Sequence, residues 1–203
     1  MNKKFFSVRR LTLMAILSAI SALVMLLEFS IPLIPSFYEL DFSDIFVLIG
    51  GFVLGPIEAV IIMFLKVVIN TCFNGTSTAF VGEIANFVVG CSFVVPASVI
   101  YRLNKTKKGA IIGLVVGTLS LVLVGCLANY FVLLPLYIKL YFDGSQDALI
   151  GVAAKANGNI KGMGTFMLYA PLPFNLLKGA VDSLITFVVY KKISPFLHKQ
   201  LDR

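Results

Sequence analysis

Residues 109 to 138 contain no Asp, Glu, Lys or Arg. So long an uncharged apolar run belongs inside a large protein core or inside a bilayer, whose hydrocarbon is crossed by about 20 helical residues. The rest of the chain rules out the first. Of 203 residues, 59% are hydrophobic and only 13% charged, and the mean hydropathy is +0.96. That leaves too few polar side chains to cover a soluble surface, whereas a surface facing lipid needs none. The expected fold is an all-α integral membrane protein, a six-helix bundle forming one domain over residues 1–203. Its spans are placed at about 9–29, 43–55, 57–73, 78–101, 109–139 and 168–191. The second is too short to cross alone, and Gly55-Pro56 supplies the break before the third.

The net charge of +7 raises the question of nucleic acid, but 12 of the 17 Lys and Arg residues fall in three clusters flanking apolar segments. These are Lys3, Lys4, Arg9 and Arg10; Arg102, Lys105, Lys107 and Lys108; and Lys191, Lys192, Lys199 and Arg203. With six crossings all three lie on one side, which the positive-inside rule makes cytoplasmic together with both termini. Nucleic-acid binding is not expected. The outer side receives loop 30–42, the link at Asn74-Gly75 and the polar loop 141–165. The basic start followed by Leu11–Leu27 is read as a retained first helix, being long for a signal peptide. Cys72, Cys91 and Cys126 sit in apolar runs without CxxC spacing and are read as small buried hydrophobes.

Ionisable and amide side chains inside a membrane each require a reason. The candidates are Glu28, Glu58, Lys66, Asn70, Glu83, Asn86, Asn129, Asn175, Lys178 and Asp182. At about 1.5 Å per residue, Lys66 and Asn70 near the end of the third span, Glu83 and Asn86 near the start of the fourth, Asn129 in the fifth, and Asn175 and Lys178 in the sixth reach one layer. That layer lies roughly 5 to 15 Å beneath the outer face, and four helices converging there suggest a pocket open to the outside. Asn175, Lys178 and Asp182 share a face by spacing, as do Glu83 and Asn86, and Lys66 with Asn70. Internal pairing is the alternative, with Lys178 neutralised by Asp182 or Glu83. Phe37, Tyr38, Phe42, Tyr130, Phe131, Tyr169 and Phe174 lie at the same height, as an interfacial belt or as planar walls for a flat heterocyclic ligand.

Small residues recur at four-residue spacing: Ala15 with Ala19, Gly51 with Gly55, and Gly109, Gly113 and Gly117. Such faces let helices approach closely, within this chain or against another membrane subunit. The only histidine is His198, and no G-x-x-x-x-G-K-[ST], G-x-S-x-G or H-E-x-x-H pattern occurs. No metal site, no cofactor and no enzyme activity are expected, and ATP hydrolysis unaided is not.

Several motifs occur in order: L-D-F-S-D-I (40–45), I-G-G-F-V-L-G-P (49–56), V-G-E-I-A-N-F (81–87), N-Y-F-V-L-L-P-L-Y (129–137) and P-F-N-L-L-K-G (173–179). Together they resemble the riboflavin-specific substrate-binding subunits of bacterial energy-coupling factor transporters, from the first helix to the last, apart from loop 141–165. The resemblance implies a multi-pass protein of the bacterial cell membrane that captures riboflavin near the outer surface. It also implies a partner module of one transmembrane coupling subunit and two cytoplasmic ATPases, which drive the binding subunit to topple within the membrane. Carried over by motif, the ligand-contacting residues are Asn129 with Tyr130 beside it, Asn175 and Lys178. Leu40, Asp41 and Phe42 would cap the ligand, and Glu83 and Asn86 would touch it or hold helices together. Ala15 and Ala19 match the motif that contacts the coupling subunit. The alternatives are a different vitamin, such as thiamine or biotin, and a small membrane protein without a solute site.

Overall fold

The computed structural model describes residues 7–76 and 79–202, with side-chain surroundings given as far as Tyr190 and at Lys192. Lys3, Lys4 and Arg203 of the basic clusters, and Thr78 at the expected start of the fourth span, lie outside the described residues. So do the side chains of Lys191, His198 and Lys199. The chain runs through α1 (Val8–Met25), β1 (Phe29–Ser30), β2 (Glu39–Leu40), α2 (Asp44–Val53), α3 (Pro56–Asn74), α4 (Val81–Leu103) and α5 (Lys107–Ala128). A π-turn (Asn129–Leu133) then leads into α6 (Leu134–Tyr141), α7 (Gln146–Ala156), α8 (Met163–Tyr169) and α9 (Pro171–Asp202). The two short strands pair antiparallel, Phe29 opposite Leu40 and Ser30 opposite Glu39.

Among the described residues, five helical stretches are long and apolar enough to cross a membrane: Val8–Met25, Pro56–Asn74, Val81–Leu103, Lys107–Tyr141 and Met163–Tyr190. The second expected span, 43–55, becomes the 10-residue α2. At about 1.5 Å per residue it covers only about half of a ~30 Å hydrocarbon core. Its far end stops at Gly55, whose φ of 131° favours glycine, followed by Pro56 at the first position of α3. There the Leu54 carbonyl accepts from Arg10 Nη2 at 2.7 Å, and Arg10 also pairs with Glu58. Arg10 and Arg102 meet Gly55 at this level, which defines the basic end of the bundle. From the opposite end the chain descends as the irregular crossover 26–43. The inner part of that crossover, at Leu40, Asp41 and Ser43, is buried, as non-helical backbone at membrane depth has to be.

Glycine faces mark where helices touch. A Cβ on Gly113 would sit 2.7 Å from the Ala97 carbonyl oxygen and one on Gly117 2.6 Å from that of Phe93. The α5 stripe is therefore consumed by packing on α4. Gly51 lies against Ser98, and Met63 fills the space left by Gly90. Ala15 and Ala19, by contrast, are exposed on α1.

Two apolar cores result. One, around Val47, Leu48, Phe52, Ile62, Met63, Phe93 and Val94, ties α2, α3 and α4 together. The other joins Tyr38 and Leu40 of the crossover to Leu149 and Ala153 of α7, with Ile160, Phe166 and Phe174. The expected loop 141–165 is thus partly a helix, started by Ser145 Oγ accepting from the Ala148 amide at 3.2 Å.

Because the Gly117 contact is backbone against backbone, neither helix can yield without shifting. Gly117→Val is expected to destabilise the detergent-solubilised protein by about 1–3 kcal/mol, read as a lowered thermal unfolding midpoint. Ala15→Val, on an exposed face, should leave that midpoint unchanged.

Candidate ligand-binding site

Away from the basic end, a cavity of about 160 Å³ opens between the crossover, α4, the α5–α6 junction and α9. Three features of the backbone set its polar groups in place. The first is the π-turn. Pro135 has no N–H, so the usual helical bond to the Phe131 carbonyl cannot form; the Leu134 amide instead donates to the Asn129 carbonyl five residues back. Asn129 sits at the start of this turn, buried, with its Nδ2 donating to the Gly125 carbonyl at 2.8 Å and its Oδ1 accepting from the Tyr38 hydroxyl at 2.6 Å. The second is Gly125 itself. Its missing side chain makes room for Asn175, whose Oδ1 would lie 2.7 Å from a Cβ there. Asn175 Nδ2 donates to the Pro171 carbonyl at 2.7 Å, one turn back on its own helix.

The third is a chain of alternating charges beneath the cavity. Lys178 Nζ donates to Asp41 Oδ2 at 2.7 Å and lies 3.5 Å from Asp44 Oδ2. Lys66, fully buried, donates to Asp44 Oδ1 at 2.6 Å. Asp41 Oδ1 also accepts from the backbone amide of Ser43 at 2.8 Å and from its hydroxyl. Lys178 and the two Ser43 donors thus surround the Asp41 carboxylate, and the Tyr38 hydroxyl serves Asn129 as a donor.

The expected partners of Lys178 are therefore corrected: it is matched by Asp41 and Asp44, not by Asp182 or Glu83. Asp182 is buried on α9 with neither carboxylate oxygen hydrogen-bonded among the described residues. Asp44, which carries both lysines, escaped the sequence reading because a carboxylate opening an apolar helix looks like an ordinary N-terminal charge.

Of the expected contacts, Asp41, Asn86, Asn129, Asn175 and Lys178 line the cavity, and Phe37, Tyr38, Tyr137 and Phe174 form aromatic walls. Phe37 and Tyr38 lie 5.0 Å apart, and Tyr38 and Phe174 5.2 Å. Tyr130 does not line it: about 100° further round the helix from Asn129, it is 49% exposed and packs edge-on against Phe131. Leu40 and Phe42 do not line it either, because in extended chain they point away from the face that Asp41 uses. Leu40 is buried in the second apolar core, and Phe42 packs on Phe29 at 5.9 Å. Glu83 faces an adjoining cavity, and Asn86 both.

A helical membrane bundle with one aromatic, amide-lined cavity toward the end opposite its basic clusters is the form of a membrane-embedded solute-binding subunit. The family model for the ECF transporter, substrate-specific component, matches residues 9–190, and the chain belongs to that family. It is 34% identical over 191 residues to the riboflavin transporter RibU of Staphylococcus aureus (strain TCH60), covering 94% of this chain and 93% of that protein. It is 27% identical to the riboflavin transporter FmnP of Bacillus subtilis (strain 168), covering 95% and 96%. A solved S component of a bacterial ECF transporter aligns with a TM-score of 0.71 and 32% identity, over 93% of this chain and 96% of that one. The chain is thus a multi-pass protein of the bacterial cell membrane and a transport subunit, not an enzyme.

Asp41→Asn removes the nearer of the two carboxylates that hold Lys178 and should destabilise the detergent-solubilised protein by about 3 kcal/mol, read as a lowered thermal unfolding midpoint.

Proposed function

We propose that this chain is the riboflavin-binding subunit of an energy-coupling factor uptake transporter. The observation that carries the reading is the cavity itself. Flat aromatic walls from Phe37, Tyr38, Tyr137 and Phe174 stand beside fixed amides and a matched ammonium, which suits a planar, uncharged heterocycle with polar edges. The relatives named as riboflavin transporters support the same ligand. Asn129, Asn175 and Lys178 supply the polar contacts. Lys178 is already neutralised by two aspartates, so it exerts no net pull on an anion.

The basic end faces the cytoplasm together with both termini, and the cavity faces outward. The half-length α2, joined to the buried crossover, makes up the sixth pass. Energy comes from partners: a transmembrane coupling subunit and two cytoplasmic ATPases. The exposed Ala15 and Ala19 on α1 form the small-residue face on which the coupling subunit docks, since the other two stripes are already used inside the chain.

Detergent-purified protein is expected to be yellow or to quench riboflavin fluorescence on titration; a colourless preparation that cannot be loaded would overturn the reading. Asn129→Ala leaves the Tyr38 hydroxyl and a ligand group unpaired, and should weaken riboflavin binding by about 1–3 kcal/mol, or about 5- to 150-fold. Replacing Ala15 and Ala19 together by Leu should leave riboflavin quenching intact while abolishing co-purification with the coupling module.

A further inference from the structure

The basic end of the bundle holds a cavity of its own, about 410 Å³, where α1, the α2–α3 junction and the end of α4 meet. Arg10, Glu58, Arg102 and Lys105 line it together with the backbone of the junction. Glu58 is buried and paired with Arg10, whose Nη2 also donates to the Leu54 carbonyl. That pair is self-contained and adds no net charge. Arg102 and Lys105 differ: among the described residues neither has a carboxylate within ion-pair distance. The lining therefore carries two unmatched positive charges.

Backbone shape opens the cavity toward those charges. At Gly55 the end of α2 meets the start of α3, so the negative end of one helix offsets the positive end of the other and the side chains set the sign of the site. Gly55 leaves the space empty: a Cβ there would sit 3.5 Å from Arg102 Nη1 and 2.9 Å from Glu58 Oε2. The Arg102 guanidinium thus reaches over the junction. A cation in the last turn of a helix, as Arg102 is in α4, is favoured by that helix end, but this does not call for a cavity shared with three other helices.

We propose that this cavity binds a phosphate group, supplied by an anionic phospholipid of the cytoplasmic leaflet. A guanidinium and an ammonium lining one polar recess match phosphate oxygens, the first as a planar fork and the second as a point charge. The recess lies at the ends of membrane-crossing helices, at the level of lipid headgroups, and the cytoplasmic leaflet is the anionic one. The choice of leaflet rests on the orientation proposed above; the flavin cavity, at the other end, takes no part. Ile57, which lines the recess, is 57% exposed, and Leu103, beside Arg102 in the chain, is 83% exposed. Exposed apolar side chains next to the charges suit the acyl chains that a lipid phosphate brings and free phosphate lacks.

The test is thermal unfolding of the full chain, delipidated in a non-ionic detergent and titrated with phosphatidylglycerol, with phosphatidylcholine of the same acyl chains, and with inorganic phosphate. Phosphatidylglycerol should raise the midpoint at concentrations about tenfold or more below those that phosphatidylcholine needs. The double variant R102Q/K105Q should lose that preference while still unfolding cooperatively and responding to riboflavin as the unmodified protein does. K107Q/K108Q, which alters two exposed lysines that do not line the cavity, should keep it. An equal response to the two lipids, an undiminished preference in R102Q/K105Q, or loss of the preference in K107Q/K108Q would each overturn the site. Inorganic phosphate acting as strongly as phosphatidylglycerol would overturn the lipid and assign the cavity to a soluble phosphate ester.

Discussion

A buried and a half-buried lysine in a membrane bundle are tolerable only if each is met by a carboxylate, and the architecture follows from that requirement. Asp41, Lys178, Asp44 and Lys66 alternate in sign across the crossover, α9, α2 and α3. Asp44 has to stay beside Lys66, so α2 starts deep and is short. Asp41 has to reach Lys178, so the crossover is drawn down into the bundle instead of lying over it. The same contact brings Tyr38 against Asn129 and turns a connecting segment into one wall of the cavity.

Backbone shape supplies the other walls. The π-turn before Pro135 holds Asn129 inward, and Gly125 leaves the space that Asn175 occupies. Asn129 and Asn175 are anchored to carbonyls one turn back along the chain, so they are held in place before any ligand arrives, which lowers the ordering cost of binding. Above them, α7 and α8 close the second apolar core over the crossover.

Much of this was legible along the chain. Apolar run lengths located the five long apolar helices, the second expected span being a 10-residue helix instead, and depth counting brought Asn86, Asn129, Asn175 and Lys178 to one level, where they line one cavity. Other placements depended on rotation: Tyr130, Leu40 and Phe42 do not line that cavity, because helical and extended periodicities turn neighbours in sequence onto different faces. The partner of Lys178 was sought on its own helix and on α4, whereas the answer lay 137 positions away in the crossover.

Sequence by itself determined that the chain is a helical membrane protein, which end is basic, and which helices carry polar residues at a common depth. Those properties depend on composition and on distance along a single helix, and hydrocarbon forces them on any chain of this kind. Only the tertiary structure decided which charges pair, which small-residue face is consumed and which stays exposed. Those outcomes depend on how helices rotate and cross, and no period within one helix encodes what the next will present to it.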